Sequence, residues 1–145
     1  MQRPRGDDDR KAAVPAAPTH VLVADDDDEM RRTLAAALRR DGYVVTEASD
    51  GDDVVDHVRL SNLCVESGPP LDAVVSDIRM PGPSGLGVLM AVRAVAPALP
   101  VVLITAFGDA ELHAEARARG ADAVLDKPFD LDELRAALRK LAPPA

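Results

Sequence analysis

From Thr19 onward the chain alternates short, β-branched apolar runs with longer amphipathic segments, and this rhythm narrows its fold further than any other feature. A run of four or five apolar residues bounded by turn residues suits a buried strand, and a segment with a period near 3.6 suits a surface helix. Their regular alternation predicts βα units, which build a parallel sheet with helices on both faces. Strands are expected at His20–Ala24, Tyr43–Glu47, Ala73–Ser76, Val101–Thr105 and Ala123–Leu125, giving a doubly wound five-stranded α/β fold. The first helix should start near Asp27, present Met30, Leu34, Ala37 and Leu38 on one face, and stop at Asp41-Gly42. A second runs from about Asp50 through Val54, Val55 and Val58, and a third follows Ser84 with Leu86, Leu89 and Val92 until Pro97 and Pro100 stop it. The fourth, near Asp109 to Arg119, has Leu112 as its sole large apolar residue, so its grip on the sheet should be weak. The last opens at Asp130, with Glu133 as a capping-box-like partner, and should bury Leu131, Leu134, Leu138 and Leu141.

The length of 145 residues fits one domain of ordinary size, expected over 19–142. Residues 1–18 mix charge with Pro and Ala and show no apolar period, so a disordered leader is expected there, with 143–145 as a short tail. The segment 61–70 is longer than a usual connection and reads as an insertion. A formal net charge of −8 is the wrong sign for neutralising nucleic-acid phosphates or anionic lipid, which argues against direct nucleic-acid binding and against membrane attachment. Cys64 is the single cysteine, and with His20, His57 and His113 it forms no zinc spacing; His57 and His113 sit on helical segments among polar residues and are expected to be exposed and without a role. With no signal-peptide pattern and no apolar stretch of membrane-spanning length, the expected compartment is the cytoplasm.

Polar residues gather where the strands end. Asp25 and Asp26 follow the first strand, Asp77 the third, Thr105 ends the fourth, and Lys127 lies just past the fifth. In an open parallel sheet those ends share one edge, where ligands bind. Three carboxylates brought together repel one another, and the remedies are a raised pKa, a cationic neighbour or a bound cation, for which an oxygen-only donor set favours magnesium. Magnesium beside an aspartate, a hydroxyl and an ammonium is the equipment of phosphoryl transfer, with the aspartate as nucleophile. Taken alone, the run Asp25 to Glu29 would be a solvated helix start, and that reading holds for Asp27, Asp28 and Glu29. Asp77 alone could be a turn residue and Thr105 a strand residue; their joint placement with Lys127 is what points to chemistry.

The motifs VLVADD (21–26), SDIRMPG (76–82), LITAFGD (103–109) and DKPF (126–129) together resemble those of response-regulator receiver domains, over roughly residues 19–141. The resemblance implies a flavodoxin-like strand order 2-1-3-4-5 and a phosphoaspartate switch of a two-component phosphorelay. It implies Asp77 as the phosphoacceptor, Asp26 as a direct Mg2+ ligand, Asp25 as a ligand through water, and the Arg79 backbone carbonyl as a further ligand. Thr105 and Lys127 would contact the phosphoryl oxygens, and the Lys127-Pro128 peptide would be cis. The implied partners are a histidine kinase or histidine phosphotransfer protein and a separate effector protein, with a phosphorylation-dependent dimer as a further outcome. The chain resembles a stand-alone member, a regulatory phosphoacceptor that catalyses only its own phosphorylation and dephosphorylation.

Two departures from the family pattern matter: the 61–70 insertion, which bears on partner choice and not on chemistry, and Val124, where the family commonly has Tyr or Phe three residues before the lysine. The expected switch therefore runs from Thr105 through the 106–108 loop, with Phe107 as the mobile group, into the fourth helix, and the exposed face of the fourth and fifth helices, with Arg117, Arg119 and Arg135, is the expected partner surface. A role as relay or phosphate sink is the nearest alternative. A Mg2+-dependent phosphatase with an Asp nucleophile is the more distant one, disfavoured because the D-x-D-x-[TV] pattern fails at Glu29.

Overall fold

The computed structural model describes residues 18–63, 70–79, 85–106 and 110–145. Five strands, β1 (His20–Ala24), β2 (Val44–Ala48), β3 (Ala73–Asp77), β4 (Val101–Thr105) and β5 (Ala123–Asp126), form one parallel sheet in the order β2-β1-β3-β4-β5. Between and after them run α1 (Asp28–Arg40), α2 (Gly51–Leu63), α3 (Gly85–Val95), α4 (Ala110–Ala118) and α5 (Leu131–Leu141). Every residue of β1, β3 and β4 is buried, as expected of central parallel strands covered on both faces.

The strand alternation sorts the core into two layers. Val21, Val23, Val75, Val102 and Ile104 face Leu34 and Leu38 of α1 and Leu134 and Leu138 of α5. Leu22, Val74, Leu103 and Val124 face Val54 and Val58 of α2, Val88, Leu89 and Val92 of α3, and Ala116 of α4. Asp27 caps α1 by accepting the Met30 N–H at 3.1 Å, and Asp130 caps α5 by accepting the Asp132 N–H at 3.0 Å. Among the described residues of α4 only Ala116 is buried, in keeping with the sparse apolar face expected of that helix.

Some expectations need correction. β2 begins at Val44, one residue late, because the Tyr43 N–H still bonds the Leu38 carbonyl at the end of α1, at 3.2 Å. On α1 the buried small residue is Ala35; Ala37 is only half-buried. Arg135 does not belong to a free basic face, since it forks onto Asp41, the C-cap of α1, through Nε (2.8 Å) and Nη2 (2.7 Å). Of the 61–70 segment, residues 61–63 complete α2, while 64–69, with Cys64, lie outside the described residues, as do residues 1–17 of the expected leader.

The Arg135 fork ties α5 to α1 and makes stability pH-dependent in one direction. Hydrogen bonds from Arg135 hold the Asp41 carboxyl below the ordinary carboxylate range, against the opposing effect of burial and with help from the charges of Arg135 and Arg139. A carboxyl lowered in the folded state stabilises the fold above its unfolded pKa, and that contribution fades as pH falls through the lowered value. Arg135→Met should therefore be least stable relative to the parent at neutral pH, with the gap closing toward strong acid. Thermal melts across the acidic range check this; a gap independent of pH would refute it.

Candidate functional site

The parallel sheet brings the ends of β1, β3, β4 and β5 to one edge, and the strand alternation decides which side each residue serves. Asp25 and Asp77 continue the parity of Val23 and Val75, toward α1 and α5. Thr105 continues that of Val101 and Leu103, toward α4. Carboxylate oxygens of Asp25, Asp26 and Asp77 lie within 4.8 Å of one another. Asp25 and Asp77 are buried and Asp26 is exposed, so the cluster has an inner wall and an open side.

Lys127, delivered by the end of β5, reaches into this cluster. Its Nζ donates to Asp77 Oδ2 at 2.9 Å and to Asp25 Oδ2 at 3.4 Å. The Lys127 N–H also bonds the Thr105 carbonyl at 2.8 Å, which ties the lysine's backbone to the hydroxyl-bearing strand. The Lys127-Pro128 peptide is cis. The second oxygens of the two inner carboxylates are held by backbone: Asp77 Oδ1 accepts the Arg79 N–H at 3.0 Å, and Asp25 Oδ1 accepts the Asp27 N–H at 2.9 Å. A largely apolar groove of about 410 Å3, lined by Met30, Thr33, Lys127, Pro128, Phe129 and Leu131, adjoins the cluster at the lysine.

Burial raises the Asp25 carboxyl above the ordinary carboxylate range, and the nearby Asp77 charge adds to it, while the Asp27 N–H and Lys127 oppose it. Only between the unfolded and the folded value does the folded protein hold a proton that the unfolded chain has released, and the stability this gives is present at low pH and lost as pH rises through the folded value. Asp25→Asn removes that loss. In chelator it should stabilise the fold at neutral pH, because it removes a buried charge facing Asp77 while Lys127 keeps its closer partner, Asp77. Urea titrations at mildly acidic and neutral pH check this, and a variant less stable than the parent at neutral pH would contradict it.

The donor set fits a hard divalent cation: three carboxylates within reach of one ion, oxygen donors only, with one of them open to solvent. All the residues expected from the sequence at this edge, Asp25, Asp26, Asp77, Thr105 and Lys127, end at the same rim of the sheet, and Arg79 follows Asp77 by two residues. Thr105 is buried, and so is Val124, which lies in the layer under α4. Phe107 and Gly108 lie outside the described residues, while Ala106 is exposed.

Two side chains were undervalued from sequence. His113 on α4 is not simply exposed: its Nε2 lies 2.8 Å from Asp126 Oδ1 at the end of β5, a tie between α4 and the strand that carries the lysine. Arg31 on α1 donates to the Asp25 backbone carbonyl at 2.8 Å. Neither carries a sequence signal beyond that of a helix-surface charge.

Residues 21–139 match the family model of the response regulator receiver domain. Among curated relatives, the chain is 37% identical over 105 residues to the transcriptional regulatory protein ZraR of Escherichia coli, covering 72% of this chain and 22% of ZraR. It is 35% identical over 124 residues to the probable transcriptional regulatory protein TcrX of Mycobacterium tuberculosis, covering 86% of this chain and 50% of TcrX. The chain thus spans half or less of the length of these relatives. Among solved structures, it is similar to the Vibrio cholerae chemotaxis protein CheY4, with a TM-score of 0.74 at 28% identity over 86% of this chain and 99% of that one. A Burkholderia pseudomallei response regulator, solved with a phosphorylated aspartic acid and a calcium ion, has a TM-score of 0.70 at 26% identity over 83% of this chain and 66% of that one. With a strand order, an acidic cluster and a family match that agree, this chain belongs to the response regulator receiver domains of two-component signalling.

Proposed function

We propose that this domain is a switch that accepts a phosphoryl group on Asp77. The observation that carries the reading is the 2.9 Å ion pair between Lys127 Nζ and Asp77 Oδ2 inside a cluster of three carboxylates. A carboxylate oxygen of Asp77 attacks phosphorus, the donor's P–O or P–N bond breaks, and the donor leaves as acetate from acetyl phosphate or as imidazole from a phosphohistidine. The product is an acyl phosphate on Asp77, and water later cleaves it to inorganic phosphate and the free carboxylate. Lys127 neutralises phosphoryl oxygens as charge gathers on them, and the Thr105 hydroxyl donates to one of them. Asp25, Asp26, Asp77 and the Arg79 carbonyl would hold Mg2+, which when bound lets a crowded carboxylate accept an anionic donor. The similar Burkholderia protein, whose structure holds a phosphorylated aspartic acid and a calcium ion, supports the same assignment.

The output follows from where Thr105 lies. Drawing its hydroxyl toward a phosphoryl group moves the end of β4, next to a helix that buries only Ala116 and rests on Val124 instead of an aromatic ring. The result is a shift in the population of α4 conformers. We take the domain to span 19–142 and to work in the cytoplasm; no helix among the described residues is long and apolar enough to cross a membrane. The donor is read as a histidine kinase or histidine phosphotransfer protein and the target as a separate protein or a second copy of the domain. Direct nucleic-acid contact is disfavoured by the net charge of −8.

Incubation with acetyl phosphate should add the mass of a single phosphoryl group in the presence of Mg2+ and none in chelator. Wild-type protein that stays unmodified under both conditions would refute the reading, and steady turnover of phosphomonoesters would favour a phosphatase.

A further inference from the structure

We infer that Arg31 is the positioning residue for the Asp25–Asp26 segment, holding its backbone in the metal-ready conformation before any ligand binds. The inference rests on the phosphoacceptor reading of the cluster and adds a residue to it.

Arg31 sits in the first turns of α1 with its side chain only 12% exposed, and its guanidinium reaches three places at once. Nη1 donates to the Asp25 carbonyl at 2.8 Å, Nε to Glu47 Oε1 on β2 at 3.2 Å, and Nη2 lies 2.7 Å from Asp28 Oδ1. Asp25 is the residue where the chain leaves the sheet. Its N–H still bonds the Ala48 carbonyl at 3.1 Å, but the ladder with β2 ends at the Ala24–Ala48 pair, so the following peptide group is past the sheet. A buried carbonyl there needs a donor, and Arg31 supplies it. The peptide that Arg31 grips is the one joining Asp25 to Asp26. On the far side of that peptide the Asp27 N–H grips Asp25 Oδ1. The two bonds together fix the orientation of both acids.

A charge effect and a geometric effect predict different things, and the surroundings decide between them. Arg31 pairs with Asp28 and Glu47, and Arg39 shares Glu47, so two positive and two negative charges cancel and the group presents no net positive field to the acidic cluster. What remains is the fixed fork: a planar guanidinium spanning a backbone carbonyl and a carboxylate, which a lysine ammonium cannot reproduce. Glu47 is the anchor of the fork, itself held by Arg39 Nη2 at 3.3 Å, whereas the Asp28 side chain is 65% exposed and touches Nη2 alone, so removing its charge leaves the Nη1 and Nε bonds in place.

The test compares Arg31→Lys, Arg31→Gln, Glu47→Gln and Asp28→Asn with the parent in two measurements. In chelator, amide hydrogen exchange of residues 25–27 reports the segment without metal. Titration with Mg2+ alone, followed by calorimetry, reports affinity. Both Arg31 variants should lose protection at the Asp27 amide and bind Mg2+ about tenfold more weakly, the low end of what supporting partners of metal ligands are worth. Glu47→Gln should shift both readouts the same way by less, and Asp28→Asn should match the parent. Parent-like exchange and affinity in Arg31→Lys and Arg31→Gln would overturn the inference. So would a parent-like Arg31→Lys beside a weak Arg31→Gln, since charge alone would then suffice. If Arg31→Gln does not fold, Arg31→Lys and Glu47→Gln carry the test. A parent protein that binds no Mg2+ would remove the phosphoacceptor reading and the inference with it, whereas a parent that binds beside unchanged variants removes the role of Arg31 alone.

Discussion

Asp77→Asn should remain unmodified by acetyl phosphate and Mg2+ under conditions that fully phosphorylate the parent protein. An amide at this position has its nitrogen lone pair delocalised and carries no negative charge, so it offers phosphorus no competent nucleophile. Loss of a covalent nucleophile elsewhere lowers turnover by on the order of 10⁶-fold, enough to empty the adduct peak in an intact mass spectrum. The neighbouring acids are poor substitutes. The Asp25 side chain is 1% exposed against 7% for Asp77, and it lies 3.4 Å from the lysine ammonium against 2.9 Å, so it is the worse placed of the two for a donor. Asp26 is exposed, and the ion pairs of Lys127 run to Asp25 and Asp77. Asp77 is the acid that combines a rim position with a 2.9 Å contact to the lysine. The substitution should leave the fold intact, because an uncharged group there no longer repels Asp25, and an unchanged circular dichroism spectrum would establish this. An adduct of equal yield on Asp77→Asn would move the acceptor to another residue.

The rim was legible in the sequence because it depends on few facts. Asp25, Asp77, Thr105 and Lys127 each end or follow an apolar run, and parallel strands bring such ends together whatever the loops do. The layers were legible for the same reason: an alternating strand assigns Val21 and Leu22 to opposite faces without knowledge of the helices they meet. The details that sequence hid are those set by distant partners. Tyr43 is β-prone and was expected to start β2, but its backbone closes α1 and its hydroxyl donates to the Ala142 carbonyl at 2.9 Å, across 99 residues. Arg31 and His113 look like ordinary helix-surface charges until Glu47 and Asp126 are set opposite them. Arg135 looked like part of a partner surface until Asp41, 94 residues away, took both ends of its fork. Helical and strand periodicities encode which way a residue faces, not which polar atom it will find there.

Lys127→Met should slow phosphorylation by acetyl phosphate by about 10²- to 10³-fold, the usual cost of losing one preorganised group that stabilises transition-state charge. Mg2+ affinity should hold steady or rise. The opposite signs follow from the two duties of the lysine. Without a ligand it is the counter-ion of the site: burial pulls its ammonium toward neutrality, but the hydrogen bond to Asp77 and the charges of Asp25 and Asp77 outweigh this and raise it above the ordinary lysine value. It is therefore charged throughout the physiological range, and the stability it contributes is lost only as pH rises through that raised value in the alkaline range. Taking it away leaves Asp25 and Asp77 facing each other without a cation, so the metal-free variant should be less stable than the parent and should depend more on Mg2+ for its stability. Bound metal restores the neutralisation but not the reach of an ammonium to the phosphoryl oxygens, so the rate stays low even when the metal site is saturated. Melting curves with and without Mg2+, beside phosphorylation rates at saturating metal, separate the two duties. A variant that phosphorylates within a few-fold of the parent at saturating Mg2+ would show that the lysine only balances charge and takes no part in the transfer.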